Sequence, residues 1–504
     1  MLPNIVKLAA LEQQHSDYLY YKPTWDILRD IQDGAIAISK KIEKYLPPRP
    51  GEEQDIYDLR KAKACWTPVL ATAIREFTSK LLAAPLHLEG VDDPFWQAFR
   101  EDTNGNGRSE QEFLNQLFSS LLYFGRVYVA VDKPQLGIKP RSAFEDTLLK
   151  NSPYLSIYCP TDVTNYGYGW YITRQIESIS QPLMTPVQVA TWVVWDTMAV
   201  TTYKAEVQLE ADGTIGKVKV DGKFIPATAP TATVTQASVV EHNLGTPTLL
   251  YLELPDELWT GNNTYQKQLQ HFRIESSWTE AGIMAGTIQR VFTPMPAQPE
   301  DPRWTLEETN YDNLKFDNSH VLVGSDFKFQ ESSGTAIQNL TSQLETIERQ
   351  IRELVSMGRT SQNMQHGHGG GQQSGISKQI DREPLEDTMK AYGFKISKFY
   401  QDILQMVAIL AGKPTNIWVS GLDNYQTENL LSVLEATTLW VPYSSHVPMT
   451  AQKVWFGKLA NLMVGSHDAN VEQSLQTELD SLFADGKPVT VAVPPSPIPP
   501  ETLM

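Results

Sequence analysis

Apolar residues recur at helical spacing in the N-terminal quarter of the chain, and each run ends at a residue that stops a helix. This pattern predicts helices over Tyr21–Lys44, Pro68–Ala84 and Glu110–Phe124. Pro47, Pro85 and Gly125 follow them. Proline cannot continue a helix, and glycine is the preferred residue just beyond a helix end. The β-forming run Arg126–Val131 predicts a strand directly after the third helix.

Residues 150–245 have the pattern of a β-rich region. Val187–Trp195 is rich in β-branched and aromatic residues, and Lys204–Leu209 and Gly216–Val220 alternate between apolar and polar positions. The pairs Asp212–Gly213 and Asp221–Gly222 are typical of tight hairpin turns. We therefore expect a meander or small sheet packed on the helices.

The second half of the chain returns to helix and carries the clearest periodic signal. A helix is predicted within 256–286, followed by a stretch broken by Pro294, Pro296, Pro299 and Pro302. An apolar seam with alternating spacings of three and four comes next, formed by Ile337, Leu340, Leu344, Ile347, Ile351 and Leu354. Because the seam is shorter than three heptads, it predicts a helix packed lengthwise on neighbouring helices rather than a long coiled coil.

A polar, glycine-rich loop over 363–375 follows the seam helix. Further helices are predicted over Asp381–Leu410, Thr427–Leu439 and Thr450–Val464, with Pro384 placed in the first turn of the first of these. The proline-rich tail from Pro494 to Pro500 favours polyproline II. The longest apolar stretch, near Ile403–Ala411, is too short to span a bilayer, so we expect no membrane-spanning segment.

Composition is that of a globular protein, with 41% hydrophobic and 20% charged residues among 504. The chain has 42 basic and 59 acidic residues, a net charge of −17. Affinity for DNA depends on cations that neutralise phosphates, so tight DNA binding is disfavoured. A protein that touches DNA without binding it tightly remains compatible with this net charge.

Motifs for common chemistries are missing from the sequence. It contains no phosphate-binding Gly-x-x-x-x-Gly-Lys-Ser/Thr loop, no Gly-x-Ser-x-Gly and no His-Glu-x-x-His. Cys65 and Cys159 form no Cys-x-x-Cys pair, which disfavours a cysteine zinc site. Asp102–Gly107 resembles the start of a calcium loop, but Phe113 stands where the bidentate glutamate belongs, which favours a polar turn into a helix. We expect no enzyme activity, no cofactor and no metal.

The order of these segments resembles the portal proteins of tailed double-stranded DNA bacteriophages. The resemblance covers most of residues 50–440 and is carried by five short segments: Tyr57–Pro68, Phe124–Asp132, Pro153–Val163, His242–Pro247 and Ser374–Lys378. It implies an α+β fold with a helical and β-containing wing, a two-helix stem, a small α/β clip and a helical C-terminal part. The implied boundaries are a wing at 1–255, a descending stem helix at 256–286, a clip at 287–334, an ascending stem helix at 335–358, a channel loop at 359–378, wing return helices at 379–465 and a short crown or tail at 466–504.

The resemblance also implies roles for three groups of residues. The seam residues named above would pack the stem. The channel loop would face DNA through Asn363, Gln365, His366, His368, Gln372 and Gln373. Segment 287–331 has four basic and eight acidic residues, and a partner would dock on Glu300, Asp301, Glu307, Glu308 and Asp312. An ordinary core helix, a surface loop and solvated charge are the plainer interpretations of the three groups.

By this resemblance the chain is a subunit of a homo-oligomeric ring, a dodecamer, at one capsid vertex of a virion, assembled in the host cytoplasm. Double-stranded DNA would pass through it without sequence specificity during packaging and ejection, and terminase, a tail adaptor and the major capsid protein would be its partners. Another phage structural protein, such as a capsid-associated or tail adaptor component, is the first alternative. A carbohydrate-active enzyme is the second, and a pocket with two facing carboxylates would support it.

Overall fold

The fold is known from a computed structural model of the chain. The structure describes residues 2–134, 152–180, 185–210, 213–286, 289–293, 326–330, 334–356 and 375–423, with isolated positions after 424. Residues Met1–Asn424 and Tyr425–Met504 form two compact units. Every helix and strand given below lies in the first unit, and the described positions of the second are mostly helical. None of the helices within the described ranges combines the length and apolar character needed to cross a bilayer.

Helices dominate the N-terminal part of the first unit. They are α1 (Leu8–Leu11), α2 (Ser16–Asp33), α3 (Ala35–Lys40), α4 (Ile42–Tyr45), α5 (Gln54–Lys63), α6 (Val69–Leu81), α7 (Pro94–Glu101) and α8 (Glu110–Phe124). Two short strands lie among them, β1 (Ile5–Lys7) and β2 (Leu86–Glu89). In α6 the buried side chains recur every three or four residues, from Val69 to Leu81, so one side of the helix faces the core.

The start and end of α8 are fixed by its sequence. The Ser109 hydroxyl accepts a hydrogen bond from the Glu112 amide at 3.3 Å, and the Glu112 carboxylate accepts one from the Ser109 amide at 3.0 Å. This reciprocal pair satisfies donors that a helix start leaves free. Gly125 ends the helix in the left-handed conformation, with φ +69°. Strand β3 (Arg126–Asp132) follows at once.

A large antiparallel sheet occupies the middle of the chain. Its strands are β5 (Val163–Gly167), β6 (Trp170–Ile179), β7 (Val187–Trp195), β8 (Ala199–Leu209), β9 (Ile215–Val220), β10 (Lys223–Pro226) and β11 (Thr233–Glu241), joined by β1. The main order is β1-β11-β8-β7-β6-β5; β9 pairs with the far end of β8, and β10 with β9. Asp221 and Gly222 join β9 to β10 with φ of +47° and +79°, as a type I′ hairpin turn requires.

One face of the large sheet carries its own hydrophobic core. Trp192, Tyr203, Val218 and Val234 are buried there, and Leu8 and Leu11 of α1 pack against them. The indole N–H of Trp192 donates to the Glu12 carboxylate at 2.7 Å, so the polar atom of this buried ring is satisfied. The short α1 therefore covers the sheet face.

A second, smaller sheet links the large sheet to the helices. Strand β3 (Arg126–Asp132) lies between β12 (Leu249–Glu253) and β4 (Tyr154–Tyr158), and all pairs are antiparallel. Residues 126–131 of β3 are all buried, because helices α8 and α11 (Gly375–Ala411) contact this strand. Strand β15 (Trp418–Gly421), after α11, pairs with β2 and so joins the C-terminal part of the first unit to the segment between α6 and α7.

The secondary structure confirms the α+β class and several predicted elements. The helix Glu110–Phe124, the β-rich region and the Asp221–Gly222 turn are as predicted. The predicted first residues of two helices are wrong. Helix α2 begins at Ser16, where the His15 imidazole accepts from the Asp17 amide, and it breaks at Gly34. Helix α11 begins at Gly375, so Pro384 lies inside it rather than in its first turn.

Gly125 offers a test of how the helices and the small sheet are joined. A Cβ atom at Gly125 would lie 2.7 Å from the Trp259 indole, whereas one at Gly107 (φ +86°) has no neighbour within 4 Å. Both Gly→Ala changes should cost about 1–2 kcal/mol for the left-handed backbone. Gly125→Ala should cost about 1–3 kcal/mol more through overpacking. Urea denaturation of both variants measures the difference, and equal losses of stability would contradict this role of Gly125.

Candidate functional site

Two long helices form an antiparallel hairpin that is the most distinctive feature of the first unit. Helix α9 (Thr260–Gly286) runs beside α10 (Thr335–Ser356). The Trp278 indole donates to the Thr341 hydroxyl at 3.0 Å, and His271 Nε2 lies 3.3 Å from a Glu348 carboxylate oxygen. The earlier residue on α9 contacts the later residue on α10, so the helices run in opposite directions.

A two-stranded ribbon continues the hairpin beyond its helices. Strand β13 (Gln289–Thr293) pairs antiparallel with β14 (Asp326–Gln330), with Gln289 opposite Gln330 and Thr293 opposite Asp326. The ribbon keeps the C-terminal end of α9 close to the N-terminal end of α10. Residues 294–325, which connect β13 to β14 in the sequence, lie outside the described residues.

Burial along the hairpin changes from one end to the other. On α9 the buried residues run from Thr260 to Ser276, and none of its later residues with a described side chain is buried. On α10 the buried residues are Ile347, Ile351 and Val355, and no residue before Ile347 is buried. We call the buried end the root and the other end the tip. The hairpin is therefore anchored at its root and projects from the body at its tip.

The root of α9 is held by close backbone contacts. The Trp259 indole donates to the Tyr123 carbonyl at 2.8 Å and covers Gly125. A Cβ atom at Gly261 would overlap the Tyr123 carbonyl oxygen, so only glycine permits this approach. The α8–β3 junction and the first turn of α9 are thus in direct contact.

Tyr392 of α11 closes the other side of the root. Its hydroxyl donates to the Leu258 carbonyl at 2.5 Å and lies 3.2 Å from the Thr260 hydroxyl. Burial raises the pKa of Tyr392 to about 12, so the phenol stays neutral and remains a donor at physiological pH. The root therefore joins α8, β3, α9 and α11.

One side of the hairpin packs on the body through polar contacts. The buried Gln268 amide accepts from the Leu70 amide at 2.8 Å and donates to the Thr67 carbonyl at 2.9 Å. The Thr67 hydroxyl donates to Glu275 at 2.5 Å. On α10, Arg352 lies 3.7 Å from Glu76 of α6. These contacts place the N-terminal end of α6 against the root.

The hairpin interface also buries a histidine between carboxylates. His271 is 2% exposed, with Nε2 at 3.3 Å from Glu348 and Nδ1 at 3.7 Å from Glu275. His271 Nδ1 and one Glu275 oxygen have no hydrogen-bond partner among the described residues. Buried polar groups without a partner destabilise the fold, so this is a polar weak point in the root.

The other side of the hairpin carries a groove of about 370 Å³. It is lined by Lys267, Gln270, Ile274, Ser342, Gln343, Thr346, Ile347 and Gln350. Gln268 and Gln270 are two residues apart, about 200° around a helix, so the groove faces away from the body. Three side-chain amides, two hydroxyls and a single charge line it. Of these residues, the seam prediction includes only Ile347; the polar ones were not predicted, because a polar residue at a helix position indicates only exposure to solvent.

The predicted seam residues lie in α10 with graded burial. Ile347 and Ile351 are buried, and Ile337, Leu340 and Leu344 are half-buried. At the last turn the buried residue is Val355, whereas Leu354 is 39% exposed. A straight helix advances by 3.6 residues per turn, so a stripe of period 3.5 drifts off the packed side.

The other predicted site residues lie outside the described residues. This applies to the channel-loop set from Asn363 to Gln373 and to the clip set from Glu300 to Asp312. Loop Asp102–Gly107 is described, and its side chains bind its own backbone. Asn104 accepts from the amides of Asn106 and Arg108, and Asp102 accepts from that of Gly107. It forms a polar turn that leads into α8.

Comparisons with known proteins give structural neighbours alone. No protein-family model matches the chain, and no curated protein matches it. A chain from the virion of a native gene transfer agent particle aligns at 11% identity over 82% of this chain and 96% of its own, with TM-score 0.37. A chain from the neck of the empty particle computed with C6 symmetry aligns at 11% over 81% and 95%, with TM-score 0.36. One from the neck of the native particle computed with C12 symmetry aligns at 11% over 83% and 98%, with TM-score 0.34. Scores this low do not establish a shared fold.

Gln268 and Gln270 form a matched pair for testing the root. Gln268→Leu leaves the buried Leu70 amide without its hydrogen-bond partner and removes one of the two donors to the Thr67 carbonyl, so it should destabilise the protein by about 1–3 kcal/mol. Gln270→Leu makes the same change at an exposed position and should stay within about 0.5 kcal/mol of the parent. Thermal or urea unfolding, followed by circular dichroism, compares them. Equal stability of the two variants would be inconsistent with a root held by Gln268.

Proposed function

We propose that this chain is the portal subunit of a tailed-phage-like particle: a ring protein at one capsid vertex through which double-stranded DNA enters during packaging and leaves during ejection. The observation that carries the proposal is the antiparallel hairpin, anchored at its root and projecting at its tip, with a strand ribbon at the tip. The order of segments in the sequence supports the same assignment.

A ring of identical subunits needs a flank on each subunit that fits a different flank on the next. The tip of α9 supplies exposed apolar groups for such a contact: Trp278 is 40% exposed and Ile283 is 44% exposed. Large apolar side chains on a polar helix tip are unfavourable in water. Contact with a neighbouring hairpin would cover them, and twelve copies would complete the ring that the resemblance implies.

The proposed regions follow the hairpin. Residues 1–255 form the wing, 256–286 and 335–358 the two stem helices, and 287–334 the clip at the tip. Residues 359–378 form the channel loop, between the root of α10 and α11; 379–465 form the return helices and 466–504 a short crown or tail. The acidic clip would dock terminase and then a tail adaptor, and the major capsid protein would surround the wing.

The proposed mechanism is geometric and electrostatic, and it involves no catalysis by this chain. With no phosphate-binding loop in the sequence, ATP hydrolysis would belong to the packaging motor. A net charge of −17 keeps the protein from holding DNA tightly. The glutamines and histidines of the channel loop would touch DNA weakly.

Electron microscopy of the purified full-length chain tests the assignment. Negative-stain images should show closed rings with a central hole, and mass photometry should give a discrete ring mass. Compact monomers at high concentration would contradict the proposal. A ring without a through-channel would instead favour another phage structural component.

Two isoleucines with equal exposure test which surface closes the ring. Ile283 on the tip of α9 and Ile409 on α11 are each 44% exposed. Ile283→Asp places a charge in the proposed contact and should convert rings to folded monomers, whereas Ile409→Asp should leave rings intact. A buried isoleucine contributes about 1.5–3 kcal/mol at each contact, and its removal is repeated at every interface of the ring. Mass photometry measures the ratio of rings to monomers for each variant. Intact rings with Ile283→Asp would exclude this contact.

A further inference from the structure

We propose that His271, Glu275 and Glu348 form a buried proton-binding site that locks the hairpin when His271 is protonated and loosens it when His271 is neutral. The site joins α9 to α10 and, through Thr67, to the segment before α6. All of its groups belong to one subunit, so the inference goes beyond the ring function proposed above and does not depend on it.

The position of the imidazole is the first argument. His271 is buried between two carboxylates, with Nε2 3.3 Å from Glu348 and Nδ1 3.7 Å from Glu275. A neutral imidazole has one N–H donor and one nitrogen lone pair. Whichever nitrogen carries the proton, the other directs its lone pair at a carboxylate. In the neutral state, one of the two contacts is therefore always between two acceptors.

The unpartnered atoms are the second argument. The Thr67 hydroxyl donates to one oxygen of Glu275 at 2.5 Å, and the other oxygen faces His271. That oxygen and His271 Nδ1 are buried and have no hydrogen-bond partner among the described residues. An imidazolium donates from both nitrogens, so one added proton would satisfy both atoms. Since the two side chains lie four residues apart on α9, a small rotation brings them to the spacing of a charge-assisted bond, about 2.8 Å.

The charged groups around the imidazole favour an added proton. Glu348 faces it from α10, and Glu275 lies one turn beyond it on α9. Arg352, one turn farther along α10, is 3.7 Å from Glu76 of α6, so its charge is compensated. Helices α2, α5 and α8 also pack on α9, and none of their described residues places a carboxylate within 4 Å of His271. Burial opposes a charge on His271, and the two carboxylates offset this effect once Nδ1 reaches Glu275.

A metal ion is a poorer occupant of this site. The two imidazole nitrogens face different carboxylates, so a single ion bound to either nitrogen would meet only one of them. Within the described parts of the chain, no three histidine, cysteine or carboxylate side chains are arranged to hold a metal. A proton, which needs only one donor and one acceptor, fits the geometry.

The direction of the pH effect follows from the geometry. Histidine changes its charge between about pH 5 and 8. Because the locked hairpin would bind the proton more firmly than the open one, the added stability is full at the acidic end and is lost as the pH rises. One proton changes an opening equilibrium by at most about tenfold per pH unit. The hairpin should therefore open several-fold more readily at about pH 8 than at about pH 5.5.

Hydrogen–deuterium exchange of the full-length chain, followed by mass spectrometry on peptides of α9 and α10, measures this opening. Parent and His271→Gln are compared at the same pH, which cancels the pH dependence of intrinsic exchange. The parent should be several-fold better protected than the variant at pH 5.5, and the ratio should fall to one or below at pH 8. His87→Gln, which removes an exposed histidine on β2, should match the parent at both. A ratio that does not change with pH would overturn the inference.

Glu275→Gln separates proton binding from a merely structural role of the carboxylate. The new amide can donate to neutral His271 Nδ1 while its oxygen still accepts from Thr67, so the pair is satisfied without an added proton. This variant should be several-fold better protected than the parent at pH 8 and should change little with pH. Poorer protection than the parent at pH 8 would contradict the proton site. A chain that forms no rings in electron microscopy would count against the proposed function and leave these comparisons unaffected.

Discussion

The contact between Trp259 and Gly125 is the constraint on which the rest of the structure depends. The indole lies against a glycine that ends α8 and opens β3, and its N–H reaches the Tyr123 carbonyl at 2.8 Å. Because there is no side chain at Gly125 or Gly261, the first turn of α9 can lie directly on the backbone of α8. This fixes where α9 starts and in which direction it leaves the body.

From that start, the hairpin acquires two unlike sides. The body side is built from buried hydrogen bonds between side chains of α9 and the backbone at the start of α6, with Gln268 as the central residue. The groove side has exposed amides and Lys267. The proposed function in a ring requires such a division, since each helix must bind its own subunit firmly and leave another surface free.

Local sequence patterns predicted local structure, and contacts distant in sequence were beyond them. The spacing of apolar residues was sufficient for Glu110–Phe124 and for the seam of α10, because periodicity follows directly from the geometry of a helix. The pairing of β2 with β15 joins residues more than 300 positions apart and leaves no local signal. The groove was missed because its amides signal only exposure; an i, i+3, i+7 series at Gln343, Thr346 and Gln350 was the available clue. In the last turn of α10, Val355 is buried and the predicted seam residue Leu354 is exposed, because a straight helix does not keep a period of 3.5 residues.

Under load, the hairpin of α9 and α10 would behave as a beam that is fixed at one end. A force on the free end of such a beam produces its largest bending moment at the clamp. The hydrogen bonds that Trp259, Gln268 and Tyr392 make to other elements lie at that position. Load applied to the ribbon would therefore pass into α6, α8 and α11 together, and the body as a whole would resist the bending.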